Sequence, residues 1–149
     1  QETKDIFFNR TLFFYTGICR ESKEILLQQD KKDVIALKHQ VVEIGKRILQ
    51  CFCDGDLDSF GVLLDEHWLI KRQMPGTSNE WIETVYLDAK KAGSIGGKII
   101  GAGGGRYFMF YCPTEEARQS VQQVLQRFDL REMSFNIDEQ GVRTKTIHL

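Results

Sequence analysis

Apolar residues recur at three- and four-residue spacing in several stretches of the chain, and each stretch predicts a helix with one buried face. From Asp33, the positions Val34, Leu37, Val41, Ile44 and Ile48 form the first such face, and the segment 51–55 closes it. Leu57, Phe60, Leu64 and Trp68 form the second, with Asp56 as its N-cap and Pro75-Gly76 as punctuation after it. Ile82, Val85, Ala89 and Ala92 form the third, opened by the capping-box spacing Thr77-Ser78-Asn79-Glu80 and ended by Gly93. Pro113-Thr114-Glu115-Glu116 starts a fourth, whose apolar positions are Val121, Val124, Leu125 and Phe128, and a short helix carrying Ile25 and Leu26 is expected over 21–29.

Strand composition appears elsewhere. A first apolar segment, Ile6-Phe7-Phe8, is separated by Asn9-Arg10 from Leu12-Phe13-Phe14-Tyr15, which reads as a buried strand ended by Thr16-Gly17. Lys98-Ile99-Ile100 and the run 107–111 read as an antiparallel pair. In the tail, Met133, Phe135 and Ile137 alternate, a turn follows near Gly141, and 142–147 is expected to be a final strand. The pattern as a whole predicts an α+β layer, one sheet of roughly four or five strands with several helices.

Composition narrows the class. With 149 residues, 42% of them hydrophobic and 28% charged, one globular domain over 1–149 is expected. No uncharged apolar run approaches the ~20 residues of a membrane span, so no membrane partner is expected. Twenty basic against twenty-one acidic side chains give a net charge of −1, which argues against a nucleic-acid surface driven by bulk charge. Cys19, Cys51, Cys53 and Cys112 have no paired spacing with one another or with His, so they read as reduced thiols and a cytoplasmic location is expected. The chain opens at Gln1 with no basic-then-apolar leader, and the expectation is an excised domain without a secretory signal.

Two metal readings fail on pattern. Asp54, Asp56, Asp58 and Asp65 imitate positions of a calcium loop, but its sixth-position glycine is Ser59, and a helical stripe already runs through the same residues. His39 lies off the apolar face of its helix and has no ligand partner at a matching spacing. No metal ligand is assigned.

The densest signal is glycine. Seven of the fourteen residues from Ala92 to Gly105 are glycine, and strand composition flanks the last three. Such a cluster predicts a shaped hairpin loop over Gly101, Ala102, Gly103, Gly104 and Gly105, whose backbone N–H groups can share one concavity suited to phosphate oxygens. A hairpin serving close backbone packing is the alternative. The P-loop pattern fails, because Gly97-Lys98 is followed by Ile99. The dinucleotide fingerprint fails as well, since Arg106 stands at its third glycine and a strand follows.

The string GGKIIGAGGGRYFMFYCP at 96–113 resembles the third conserved motif of the GHMP small-molecule kinases. FFYTGICRESKEILLQQ at 13–29, GDLDSFGVLLDEHWLIKR at 55–72 and GTSNEWIETVYLDAKKAG at 76–93 are similar in order and spacing to the sugar-1-kinases of that superfamily that act on D-glycero-D-manno-heptose 7-phosphate. The resemblance covers nearly the whole chain. Arg106 departs from it, standing where members commonly carry a fourth consecutive glycine. The two amino-terminal motifs of the superfamily, with the ATP-cradling loop and the catalytic base, have no counterpart here.

The resemblance implies a ferredoxin-like antiparallel sheet with a helical insertion, forming the carboxy-terminal domain of an ATP-dependent sugar kinase. It implies ATP and Mg²⁺ as cofactors, held mainly by the kinase's own amino-terminal domain, and a sugar phosphate as substrate. It makes Thr16, Gly17 and Arg20 substrate-side candidates beside 101–105, with Ser78 and Asn79 as weaker ones that capping alone would explain. It assigns no catalytic base, and the chain by itself is expected to be inactive. Other GHMP kinases, such as one for L-fucose, share these motifs, and a ferredoxin-like module that binds an effector or dimerises is the alternative from another class. Phe7, Phe8 and the aromatic hairpin add an expected tendency to form a homo-oligomer.

Overall fold

The computed structural model describes residues 2–18, 27, 29, 32–101 and 105–144. Helix α1 (Glu2–Arg10) runs directly into strand β1 (Thr11–Tyr15). Among the described residues three helices follow, α2 (Lys32–Asp54), α3 (Leu57–Lys71) and α4 (Glu80–Lys91), and then the hairpin of β2 (Gly96–Ile100) and β3 (Tyr107–Tyr111). Helix α5 (Glu115–Leu125), a 3₁₀ turn at Gln126–Phe128 and the short strand β4 (Arg131–Glu132) complete the order.

The sheet is antiparallel, in the order β2-β3-β1-β4. With α5 between β3 and β4, this is the split βαβ arrangement of a ferredoxin-like sheet, and α2, α3 and α4 are inserted between β1 and β2. Strand alternation divides the side chains between two faces. Leu12, Phe14, Ile99, Phe108 and Phe110 meet Ile82, Val85 and Ala89 of α4 and Val121 and Leu125 of α5 in one buried cluster. Tyr111 faces the other way, and Leu57, Phe60 and Leu64 of α3 cover it together with Phe7 and Phe52.

Helix α3 belongs to both clusters, since Trp68 packs into the first while Phe60 packs into the second. It can do so because two glycines let its backbone approach β2. A Cβ on Gly96 would stand 2.0 Å from the Gly61 carbonyl oxygen, and one on Gly61 would stand 2.6 Å from Cδ1 of Tyr111. The helix itself is set by Asp56, whose carboxylate accepts the Ser59 N–H at 3.0 Å, a cap worth about 1 kcal/mol.

Several expectations need correction. Ile6-Phe7-Phe8, to which the pattern assigned no element, is helical, and Phe7 makes edge contacts with Phe8, Phe52, Phe60 and Phe135. The N-cap of α4 is Asn79, whose Oδ1 accepts the Ile82 N–H at 2.9 Å. Thr77 lies deeper: its hydroxyl is fully buried and accepts from Gln29 Nε2 at 2.9 Å, because a buried hydroxyl needs a partner.

The tail is the other departure. Met133 still donates its N–H to the Phe13 carbonyl at 2.8 Å, but Phe135 then stacks on Phe8 and tilts against Phe13 instead of continuing a pleat. Residues 142–144 are in no strand, and 145–147 lie outside the described residues, as does most of the expected helix at 21–29. Among the described residues no helix is long and apolar enough to cross a membrane.

Candidate functional site

The β2–β3 hairpin pairs Ile100 with Tyr107, so the glycine turn begins at Gly101 and returns through Gly105 and Arg106. Gly101 is exposed with φ +91° and Gly105 is buried with φ +104°. Positive φ at both ends suits glycine, as the sequence implied. A Cβ on Gly105 would also touch Ile82 of α4 at 3.4 Å and Ile18 at 3.5 Å, so this end of the turn is wedged between the helix and the segment after β1.

Thr16 fastens that wedge. Its N–H donates to the Arg106 carbonyl at 3.1 Å, its hydroxyl donates to the Gly105 carbonyl and lies 3.2 Å from that of Arg106, and it accepts the Ile18 N–H at 3.1 Å. Two candidate stretches far apart in sequence, Thr16-Gly17 and the glycine turn, therefore meet at one end of the sheet. Gly17 follows in an exposed position with φ +73°. Arg20, Ala102, Gly103 and Gly104 lie outside the described residues.

Ser78 and Asn79 are accounted for structurally. Asn79 caps α4, and the Ser78 hydroxyl donates at 2.5 Å to Glu83, which also takes Arg72 at 2.7 Å. The calcium-like carboxylates diverge in the same way. Asp56 caps α3, Asp58 accepts from the Tyr111 hydroxyl at 3.2 Å, and Asp65 pairs with Lys90 at 3.0 Å.

A basic cluster that pattern reading overlooked stands at the entry to the turn. His67 and Lys71, four residues apart, share one face of α3, and Lys98 stands on β2 opposite them. Lys71 Nζ donates to the Gly101 carbonyl, and Lys98 Nζ lies 3.3 Å from His67 Nε2. Burial and the charge of Lys71 push Lys98 down to about 8. Burial also lowers Lys71, while burial and then the two lysines push His67 down to about 4. The available signal was the i,i+4 pair His67/Lys71, together with a lysine inside the glycine-rich string.

Linkage gives this cluster a pH signature. The folded-state pKa of His67 lies below the ordinary 6.5, so between about 6.5 and 4 the unfolded chain binds a proton that the folded chain refuses. The contribution is fully present above 6.5 and is lost as pH falls through that window, with a slope of at most ~1.4 kcal/mol per pH unit. Urea unfolding at pH 7, 6 and 5 is expected to show falling stability that flattens in His67→Gln. An equal slope in the variant would refute the assignment.

Comparisons with known proteins bear on the family and the fold. The family model described as GHMP kinases C terminal matches residues 48–129. The D-glycero-alpha-D-manno-heptose 7-phosphate kinase of Campylobacter jejuni is 26% identical over 142 residues, covering 91% of this chain and 41% of that protein. The bifunctional fucokinase/GDP-fucose pyrophosphorylase of Arabidopsis thaliana is 24% identical over 139 residues, covering 86% of this chain and 13% of that protein. The crystal structure of Methanococcus jannaschii mevalonate kinase superposes with a TM-score of 0.73 at 17% identity, over 89% of this chain and 41% of that one. The chain thus spans less than half the length of each.

Proposed function

Because the chain belongs to the GHMP kinase C-terminal family, we propose that it is the substrate-side domain of an ATP-dependent sugar kinase that phosphorylates the anomeric hydroxyl of D-glycero-D-manno-heptose 7-phosphate. The observation that carries this reading is the meeting of Thr16 with the glycine turn, within a chain similar over 91% of its length to a heptose 7-phosphate kinase. Phosphoryl transfer is chiefly a matter of positioning and of stabilising charge. The described part suits that task, with the Gly105 end of the turn fastened by Thr16 and two lysines near its Gly101 end.

In this proposal, ATP supplies the phosphoryl group when bound and is held mainly by an amino-terminal domain of the same kinase. Mg²⁺ would accompany the nucleotide phosphates there, neutralising the charge that develops on the transferred group. Gly101, Ala102, Gly103 and Gly104, with Thr16, Gly17 and Arg20, are the groups proposed to bind the sugar phosphate, and Gly105 shapes the end of the turn. A cytoplasmic location belongs to the same reading.

L-Fucose is the second candidate substrate, favoured by the similarity to the Arabidopsis fucokinase over 86% of this chain. An ADP-release assay with heptose 7-phosphate, L-fucose and mevalonate distinguishes the cases. No turnover is expected from the 149-residue chain alone, and turnover with heptose 7-phosphate is expected once the amino-terminal domain is joined to it. Robust turnover by the chain alone would overturn the division of labour, and preference for L-fucose would replace the heptose reading.

A further inference from the structure

We propose that Lys71 and Lys98 form a receptor for a phosphate dianion at the entry to the glycine turn, with His67 positioning the Lys98 ammonium. Local structure brings the groups together: the helical i,i+4 spacing aligns His67 with Lys71, and strand alternation turns Lys98 away from its buried neighbour Ile99. Each ammonium has three N–H donors. One on Lys71 goes to the Gly101 carbonyl, and one on Lys98 to His67 Nε2, so donors are left over on both. Neither partner carries negative charge.

The rest of the domain treats its half-buried cations differently. Lys90 is paired with Asp65 at 3.0 Å, Arg72 with Glu83 at 2.7 Å, and Arg118 with Glu132 at 3.3 Å. Among the described residues no carboxylate stands within ion-pair distance of Lys71 or Lys98. Both ammonium groups are half-buried without a counter-charge among those residues: burial holds each below the ordinary lysine range, and the charge of Lys71 lowers Lys98 further. A compact dianion with several acceptor oxygens removes the repulsion and uses the spare donors, which is the way lysine recognises phosphate.

His67 supports the site by staying neutral. Its side chain is buried, its Nδ1 has no hydrogen-bond partner, and its Nε2 lone pair holds the Lys98 ammonium without adding a third positive charge.

The phosphate can come from a sugar already phosphorylated or from a nucleotide. Naming those two sources rests on the sugar-kinase reading, whereas the anion site itself does not. Calorimetric titration of the chain with inorganic phosphate, a heptose or hexose phosphate, and ADP separates them. Lys71→Met and Lys98→Met are each expected to weaken binding of inorganic phosphate about tenfold, the loss of one charge-assisted hydrogen bond. Lys98→Arg should bind within a few-fold of the parent, and Lys91→Met, on the exposed side of α4, should be unchanged.

Should either Met variant fail to fold, the parent chain still decides. Lysine-selective NMR is expected to show the Lys98 pKa rising by about a unit or more as phosphate saturates the site. Absence of phosphate binding, unchanged affinity in both Met variants, or a Lys98 titration indifferent to phosphate would overturn the proposal. Phosphate binding lost in the Met variants, in a kinase that prefers an unphosphorylated sugar, leaves the site standing and defeats the heptose-phosphate reading. Turnover of heptose 7-phosphate, with normal phosphate affinity in both Met variants, does the reverse.

Discussion

Gly96→Ala is expected to destabilise the domain by about 3 kcal/mol or more, or to prevent folding. The added methyl would stand 2.0 Å from the Gly61 carbonyl oxygen and 2.8 Å from the Asp65 backbone nitrogen. Neither neighbour is the mobile end of a side chain, so relief requires α3 to move off β2. That movement would separate Trp68 from one cluster and Phe60 from the other, which is why the cost exceeds that of an ordinary crowded methyl. Gly45→Ala, in the middle of α2 with nothing within 4 Å of the new Cβ, is the control and is expected to stabilise by roughly 0.5–1 kcal/mol. Urea unfolding of both variants checks the pair. A Gly96→Ala midpoint equal to that of the parent would show that the α3–β2 approach is not a constraint.

In the full-length kinase proposed above, Gly104→Ala is expected to lower kcat by ~10²–10³ while changing thermal stability little, the loss expected when one aimed donor in a preorganised site is displaced. Gly104 lies outside the described residues, and this expectation comes from the sequence reading of the turn as a phosphate cradle. Gly105→Ala supplies the contrast. There φ is +104° and the new Cβ would press on Ile82 and Ile18, so the variant should lose stability and keep most of its kcat in the molecules that fold. Measuring kcat, KM and thermal unfolding for both separates a ligand-facing position from one that shapes the hairpin. Near-normal kcat/KM together with clear destabilisation in Gly104→Ala would remove it from the cradle.

The amphipathic helices were legible in the sequence because their burial follows a local period. Val34 and Ile44 of α2 are buried as the stripe required, as are Leu57, Phe60, Leu64 and Trp68 of α3 and Ile82, Val85 and Ala89 of α4. The hairpin was legible for the same kind of reason, since its glycines are flanked by strand composition and both described ends of the turn have positive φ. Local hydrogen-bonding chemistry placed the Asp56 cap, and the helix start read at 113–116 proved to be capped by Thr114. It misplaced the start of α4, where burial of Thr77 against Gln29 left Asn79 as the cap.

The sequence by itself determined the elements whose partners lie within a few residues, together with the glycine-rich string that identifies the family. Tertiary structure alone decided everything that depends on partners far apart in the chain. It made Phe135 a member of an aromatic cluster with Phe7, Phe8 and Phe13 where alternation had promised a strand, because those rings come from parts of the chain that only the fold brings together. It brought Thr16 against Gly105, and Lys98 against His67 and Lys71. No periodicity encodes these meetings. They follow from the order β2-β3-β1-β4 and from the Gly61–Gly96 approach, which carries α3 across the sheet edge and sets its basic face at the mouth of the turn.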